Sequence, residues 1–181
     1  MKQFLLFLWE TLEMIVIAGI TVFVIRTFVA QPFLVSGASM ADNFNSGDYL
    51  IVDEISYRFD DPKRGDVVVF RYPNDPSTFY IKRIVGLPGD RVKIDGGAVF
   101  INGQKIAEPY LDESVQTLGD SNLALEENHY FVMGDNSYHS FDSRSWGPLN
   151  EENIVGLARL RLFPFNAIGI LERLAYTELN F

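Results

Sequence analysis

A chain of 181 residues holds one domain with an appendage rather than two full domains, which cluster near ~100–150 residues each. Its 15 Lys+Arg against 24 Asp+Glu leave a net charge of −9, the wrong sign for neutralising a phosphate backbone, so nucleic acid is excluded as a partner. The absence of cysteine rules out disulfides, thiolate metal sites and a cysteine nucleophile, two histidines make a structural metal improbable, and a 48% hydrophobic content with slightly positive mean hydropathy points to membrane contact.

The chain opens on an apolar run, Phe4–Ala30, whose uncharged stretch Met14–Ile25 is too short to cross ~30 Å of hydrocarbon by itself. A span must therefore reach past Glu13 and Arg26, which predicts a helix over about 11–29, roughly 28 Å long, with both charges at the interfaces. A buried or interfacial helix and a cleaved signal peptide compete with this reading. The signal peptide fits poorly, because Arg26 follows the apolar run directly and a cut after Ala30 would put Phe28 where a small residue is expected. Residues 1–30 are read as a single-pass membrane anchor. Lys2 precedes the span and, after Arg26, no Lys or Arg follows until Arg58, which places the N-terminus inside and residues 31–181 outside.

Past Pro32 the pattern changes to short strands: Tyr49–Val52, Val67–Arg71, Phe79–Val85, Arg91–Ile94, Val99–Ile101, Tyr130–Met133 and Ile154–Phe163. Asn102-Gly103 and Asp95-Gly96-Gly97 are turn signals of β-hairpins. Without amphipathic helices between the strands, the body is mainly β, in antiparallel sheets or a partly closed barrel. Glu108–Glu127 is acidic and weakly patterned and reads as an exposed excursion; Ile168–Tyr176 reads as a short helix.

Three segments could carry chemistry. Ser36-Gly37-Ala38-Ser39-Met40 lets backbone approach a ligand and leaves a hydroxyl accessible, although such a serine is also a common loop residue. In Phe79–Val85, a period of two puts Lys82 with Tyr80 and Ile84 and Arg83 with Ile81 and Val85, so one of the two cations must face an apolar layer. A desolvated lysine loses its proton readily and becomes a base; a snorkelling surface lysine is the alternative. Gly134–Gly147 carries more polar groups than a connection between strands needs, including an Asp142/Arg144 pair able to brace it. His139 in this loop invites a Ser39/His139/Asp142 triad, but reads by default as an exposed loop residue.

In order and content these segments resemble the type I signal peptidase family of membrane-anchored Ser/Lys proteases. The blocks are Gln31-Pro32-Phe33 with Ser36–Met40, Gly65-Asp66-Val67-Val68-Val69-Phe70, Tyr80–Asp90, and Gly134-Asp135-Asn136 through Asp142-Ser143-Arg144 with Trp146-Gly147. The resemblance runs from about residue 11 to 165 and implies a Ser39 nucleophile, Lys82 as general base and Ser140 as the hydroxyl that orients the lysine amine. Asp142 and Arg144 would be structural supports, and the Ser39 backbone N–H the oxyanion donor, because Gly37 stands where some members carry a second, serine donor. It further implies no metal or cofactor, and preproteins bearing signal peptides, in contact with a lipid bilayer, as substrates. Such a substrate would pair as a strand beside the segment before Ser39, with Phe33, Val35 and Ile81 walling shallow pockets for small residues. After Met40 the family usually shows any residue, then Pro-Thr-Leu, where this chain has Ala41-Asp42-Asn43-Phe44. An inactive, membrane-tethered binding domain of the same fold is the alternative this departure keeps open.

Overall fold

The computed structural model describes residues 2–28, 30–41, 43–112 and 115–173, with backbone only at 25–28. Helix α1 (Lys2–Phe28) begins well before the expected start near Thr11, and the expected end at Val29 lies outside the described residues. Glu10 and Glu13 do not interrupt it, because glutamate is a good helix former and its chain can lie along the helix surface. At ~1.5 Å per residue the helix is about 40 Å long. Lys2–Val24 is long and apolar enough to cross a membrane, and side chains such as Phe4, Trp9, Ile17 and Phe23 are exposed rather than packed on the body.

The body follows as β1 (Ala30–Leu34), β2 (Tyr49–Asp53), β3 (Val67–Tyr72), β4 (Asp75–Gly86), β5 (Arg91–Asp95), β6 (Ala98–Ile101), β7 (Gln104–Lys105), β8 (Ser121–Ala124) and β9 (His129–Met133). The short helix α2 (Ser143–Trp146), β10 (Leu149–Asn150), β11 (Ile154–Phe163) and β12 (Gly169–Ile170) complete it. All strand pairs are antiparallel, in two sheets: β1-β2-β11-β3-β4-β9-β10, with β12 also on β11, and β7-β6-β5-β8. Antiparallel sheets are thus realised. The larger sheet does not close into a barrel, since no ladder joins β1 to β10 among the described residues. Asn102 and Gly103 both have positive φ, 52° and 87°, as a two-residue turn between β6 and β7 requires.

Two other expectations need correction. The 108–127 stretch, of which 113 and 114 lie outside the described residues, is not simply an exposed excursion: Thr117 and Leu125 are only 1% and 5% exposed, and Ser121–Ala124 pairs with β5 as an edge strand. The expected helix at Ile168–Tyr176 is replaced, over its described part, by β12, with Leu160 opposite Ile170; a nine-residue helix is marginal alone, whereas the strand edge offers ready partners. Residues 174–176 of that expectation lie outside the described residues.

Three apolar clusters hold the sheets. One joins the small sheet to β9 through Val92, Ile94, Val99, Ile101, Phe131 and Met133; another fills the large sheet with Val68, Phe70, Ile84, Val132 and Leu149. The third, Val35, Met40, Phe44, Leu50, Val67 and Ala158, lies beneath the turn that follows β1. Phe70 and Phe131 are fully buried, each stabilising the fold by about 1.5–3 kcal/mol relative to exposure.

Candidate active site

The Ser36–Met40 turn leaves β1 with Val35 N–H donating to the Asp48 carbonyl and Gly47 N–H to the Val35 carbonyl, both at 2.9 Å. Met40 is buried as a plug in the cluster below, so the turn is held down at its far end while Ser39 stays half-buried. The Ser39 carbonyl accepts from Asn136 N–H at 3.0 Å. That approach needs a glycine at 134: a Cβ there would stand 2.3 Å from the Ser39 carbonyl oxygen and 2.3 Å from Ser140 Oγ. The Ser39 N–H has no acceptor among the described residues and remains available to an incoming oxyanion.

On β4, Lys82 lies opposite Val68 and Arg83 opposite Val67. The alternation that forces one cation inward in fact buries both, at 3% and 5% exposure, because β4 is covered on each face here. Lys82 Nζ lies 2.7 Å from Ser39 Oγ and donates to the Ile81 carbonyl at 2.9 Å. Burial strips water from the ammonium and lowers its pKa to about 8; the Asp142 and Asp135 carboxylates oppose this and Arg144 reinforces it. A lysine neutral in appreciable fraction near physiological pH, in contact with a serine hydroxyl, has the arrangement that nucleophilic catalysis with a general base requires.

Arg83 donates Nε and Nη2 to the two oxygens of Asp135, at 2.8 and 2.6 Å, and Nη1 to the Gly65 carbonyl at 2.9 Å. Asp142, with no exposed side-chain surface, accepts from Arg144 Nε and Nη2 at 2.8 and 2.7 Å, from Gly134 N–H at 3.0 Å and from Ser140 Oγ at 2.6 Å. It also caps α2 by accepting from Arg144 N–H. Ser140 is therefore beside the site but bonded to Asp142, not directly to the lysine amine. His139 is exposed, with Nδ1 3.4 Å from the Asn136 side-chain oxygen and no hydrogen bond to Ser39 or Asp142.

A cavity of about 270 Å³ opens beside Ser39 and Lys82. Phe33, Val35 and Ile81 all line it, although Val35 also belongs to the core and Phe33 packs against Phe79 in a tilted arrangement, 5.4 Å between ring centroids. Leu50, Val69 and Phe79 join them, walls that sequence order does not indicate because they come from β2, β3 and β4. The supporting roles of Gly134 and Asp135 also escape the sequence reading, although both stand in a motif singled out there. Asp42, in the departure from the family pattern, lies outside the described residues. Among the described residues no group of three or more His, Cys, Asp or Glu is placed to hold a metal ion.

The sequence pattern of the family described as "Signal peptidase, peptidase S26" matches residues 8–163. A signal peptidase I of Bacillus licheniformis is 36% identical over 171 residues, covering 89% of this chain and 91% of that protein. Relatives in Leptolyngbya laminosa (signal peptidase I; 38% over 175 residues, 91% and 84% covered) and Bacillus subtilis subsp. natto (signal peptidase I P; 38% over 169 residues, 88% and 91%) are similar. A crystal structure of a signal peptidase I from Enterococcus faecalis V583 matches with a TM-score of 0.48 at 28% identity, over 54% of this chain and 97% of the other. Nothing in the site or among these relatives favours the inactive binding domain. The chain belongs to the signal peptidase family, peptidase S26, and is a serine endopeptidase of the signal peptidase I type.

Proposed function

We propose that this enzyme removes N-terminal signal peptides from exported preproteins, with Ser39 as nucleophile and Lys82 as general base. The observation that carries this reading is the 2.7 Å contact between Ser39 Oγ and a lysine amine enclosed by apolar strands. Neutral Lys82 accepts the Ser39 proton as Oγ attacks the scissile carbonyl. The Ser39 N–H stabilises the oxyanion, and the Lys82 ammonium returns its proton to the leaving amine. Water, deprotonated by the same amine, then resolves the acyl-enzyme. A neutral amine that accepts from Ser39 and donates to the Ile81 carbonyl has one N–H left. Ser140, whose own proton goes to Asp142, acts on the amine through that carboxylate, which favours the charged lysine, and not through a direct bond. Asp142 and Arg144 brace that wall, and no metal or cofactor takes part.

The substrate lies as a strand along the edge of β1 that has no partner among the described residues, where β1 pairs with β2 alone, and its small side chains enter the cavity walled by Phe33, Val35 and Ile81. Residues 1–30 anchor the enzyme in the cytoplasmic membrane with the N-terminus inside, and 31–181 work on the outer face. Lys2 at the start of the span and the absence of Lys or Arg between Arg26 and Arg58 support this orientation.

Incubating the detergent-purified chain with a preprotein and sequencing the new N-terminus tests the reading; cleavage that persists in Ser39→Ala would sink it. Replacing the alanine before the cut by leucine is expected to reduce cleavage at least tenfold, since overpacking typically costs ~1–3 kcal/mol and displaces the carbonyl from Ser39. Equal rates for both substrates would dismiss the pocket walls. With a lysine pKa of about 8, kcat/KM is expected to fall about tenfold per pH unit below that value, because only the neutral amine is the base. A pH-rate profile that is flat from pH 6 to 9 would remove Lys82 from that role.

A further inference from the structure

Asn43 stands in the block after Met40 where this chain departs from the pattern of the family it resembles, and its side chain is the point at which three separate segments meet. Both N–H groups of its amide are used: Nδ2 donates to Asp135 Oδ2 at 2.9 Å and to the Tyr110 carbonyl at 2.8 Å. The Asn43 backbone carbonyl accepts from Arg161 Nη2. Asp135 is the carboxylate that already takes the fork of Arg83, the residue next to Lys82, and its side chain has no exposed surface. The same Arg83 guanidinium lies 4.2 Å from the Tyr110 ring centroid.

Resting on the Ser39/Lys82 reading, we propose that Asn43 is a positioning residue for that pair. Its amide ties the nucleophile turn to the carboxylate that holds the lysine strand. The two arms of the tie are short. Ser39 connects to Asn43 through a turn pinned by Met40 and by the Phe44 N–H bond to the Met40 carbonyl at 2.8 Å, while Lys82 is adjacent to Arg83. A bidentate arginine–carboxylate pair fixes direction as well as distance, so Asp135 is a rigid post for the Asn43 amide to grip. Asn43 is thereby held by side-chain bonds to a distant backbone carbonyl and a distant carboxylate. The Tyr110 bond extends the tie to the segment that runs behind the site, so Ser39, Lys82 and that segment move as one body.

Removing the amide leaves Asp135 paired with Arg83, so no buried charge is orphaned and the fold is expected to survive. A shift of the turn by about 1 Å is enough to cost ~10²-fold in rate. Asn43→Ala is therefore expected to lower kcat for a preprotein ten- to a hundredfold with KM within twofold. Asn43→Thr, which keeps a donor towards Asp135, is expected to stay within about fivefold of the wild type. Labelling of Ser39 by a covalent serine probe should slow in parallel with kcat, with melting temperature and near-UV circular dichroism little changed. Wild-type kcat in Asn43→Ala, a rise in KM alone, or a loss that only tracks the unfolded fraction would each overturn the proposal. The Ser39/Lys82 reading fails separately, if Ser39→Ala in the same assay still cleaves.

Discussion

Alanine at position 82 is expected to lower kcat for preprotein cleavage by ~10²–10⁴-fold, the range associated with losing a general base, and alanine at 39 by at least as much. The two changes act on one proton transfer, so the double variant should be no slower than the worse single one. Because Lys82 is 3% exposed and fills space between strands, Lys82→Met is the cleaner variant: it keeps a flexible chain of similar length while removing the amine. Its near-UV circular dichroism should match the wild type while cleavage is lost. His139→Ala should retain most activity, since that ring reaches Asn136 and not Ser39. A well-folded but dead His139→Ala, or a Lys82→Met enzyme that still turns over, would replace the dyad by another base.

Gly134→Ala should be nearly as damaging although it removes no reacting group. The added methyl would have to occupy space 2.3 Å from the Ser39 carbonyl oxygen, 2.3 Å from Ser140 Oγ and 2.7 Å from Ser140 Cβ, so main chain has to move. The movement falls on the bond between Asn136 N–H and the Ser39 carbonyl, which sets the height of the nucleophile turn over β4. We expect at least ~10²-fold loss of kcat from the displaced Oγ and a stability loss of ~1–3 kcal/mol from overpacking, read as a lower urea midpoint. Gly169→Ala is the matched control: a Cβ there meets nothing within 4 Å, and both rate and midpoint should be unchanged. Normal activity in Gly134→Ala would show that the close approach is dispensable.

The strands that carry most of the body announce themselves through period-two apolar runs and glycine turns, so β2 to β6, β9 and β11 lie close to where the pattern puts them. What stayed hidden is what tertiary partners decide. Ser121–Ala124 has no β-branched residue and becomes a strand because β5 offers an edge; Leu149–Asn150 is too short to show any period. The start of α1 at Lys2 lies before the expected Thr11 because a span sized to ~30 Å of hydrocarbon does not set how far a helix continues beyond it, and neither Glu10 nor Glu13 disfavours a helix. In the site, the blocks around Ser39 and Lys82 stand out through their order along the chain. The bond from Asn43 to Asp135 crosses 92 positions and depends on two loops packing together, which no local pattern encodes.

The junction between anchor and sheet has a consequence for how tightly the pocket needs to bind. Helix α1 ends at Phe28 and β1 begins at Ala30, and the stretch from Phe28 to Ser39, even fully extended, spans at most about 40 Å. On the proposed orientation, the nucleophile is thus leashed to a shell near the bilayer surface. A preprotein held in the same bilayer by its own apolar segment shares that shell, and encounter becomes a search in a thin layer instead of in bulk solution. Confinement of this kind corresponds to an effective concentration approaching the millimolar range for short tethers. A shallow apolar pocket with weak intrinsic affinity is then sufficient for occupancy, and the same cavity offered a soluble peptide in dilute solution is left largely empty.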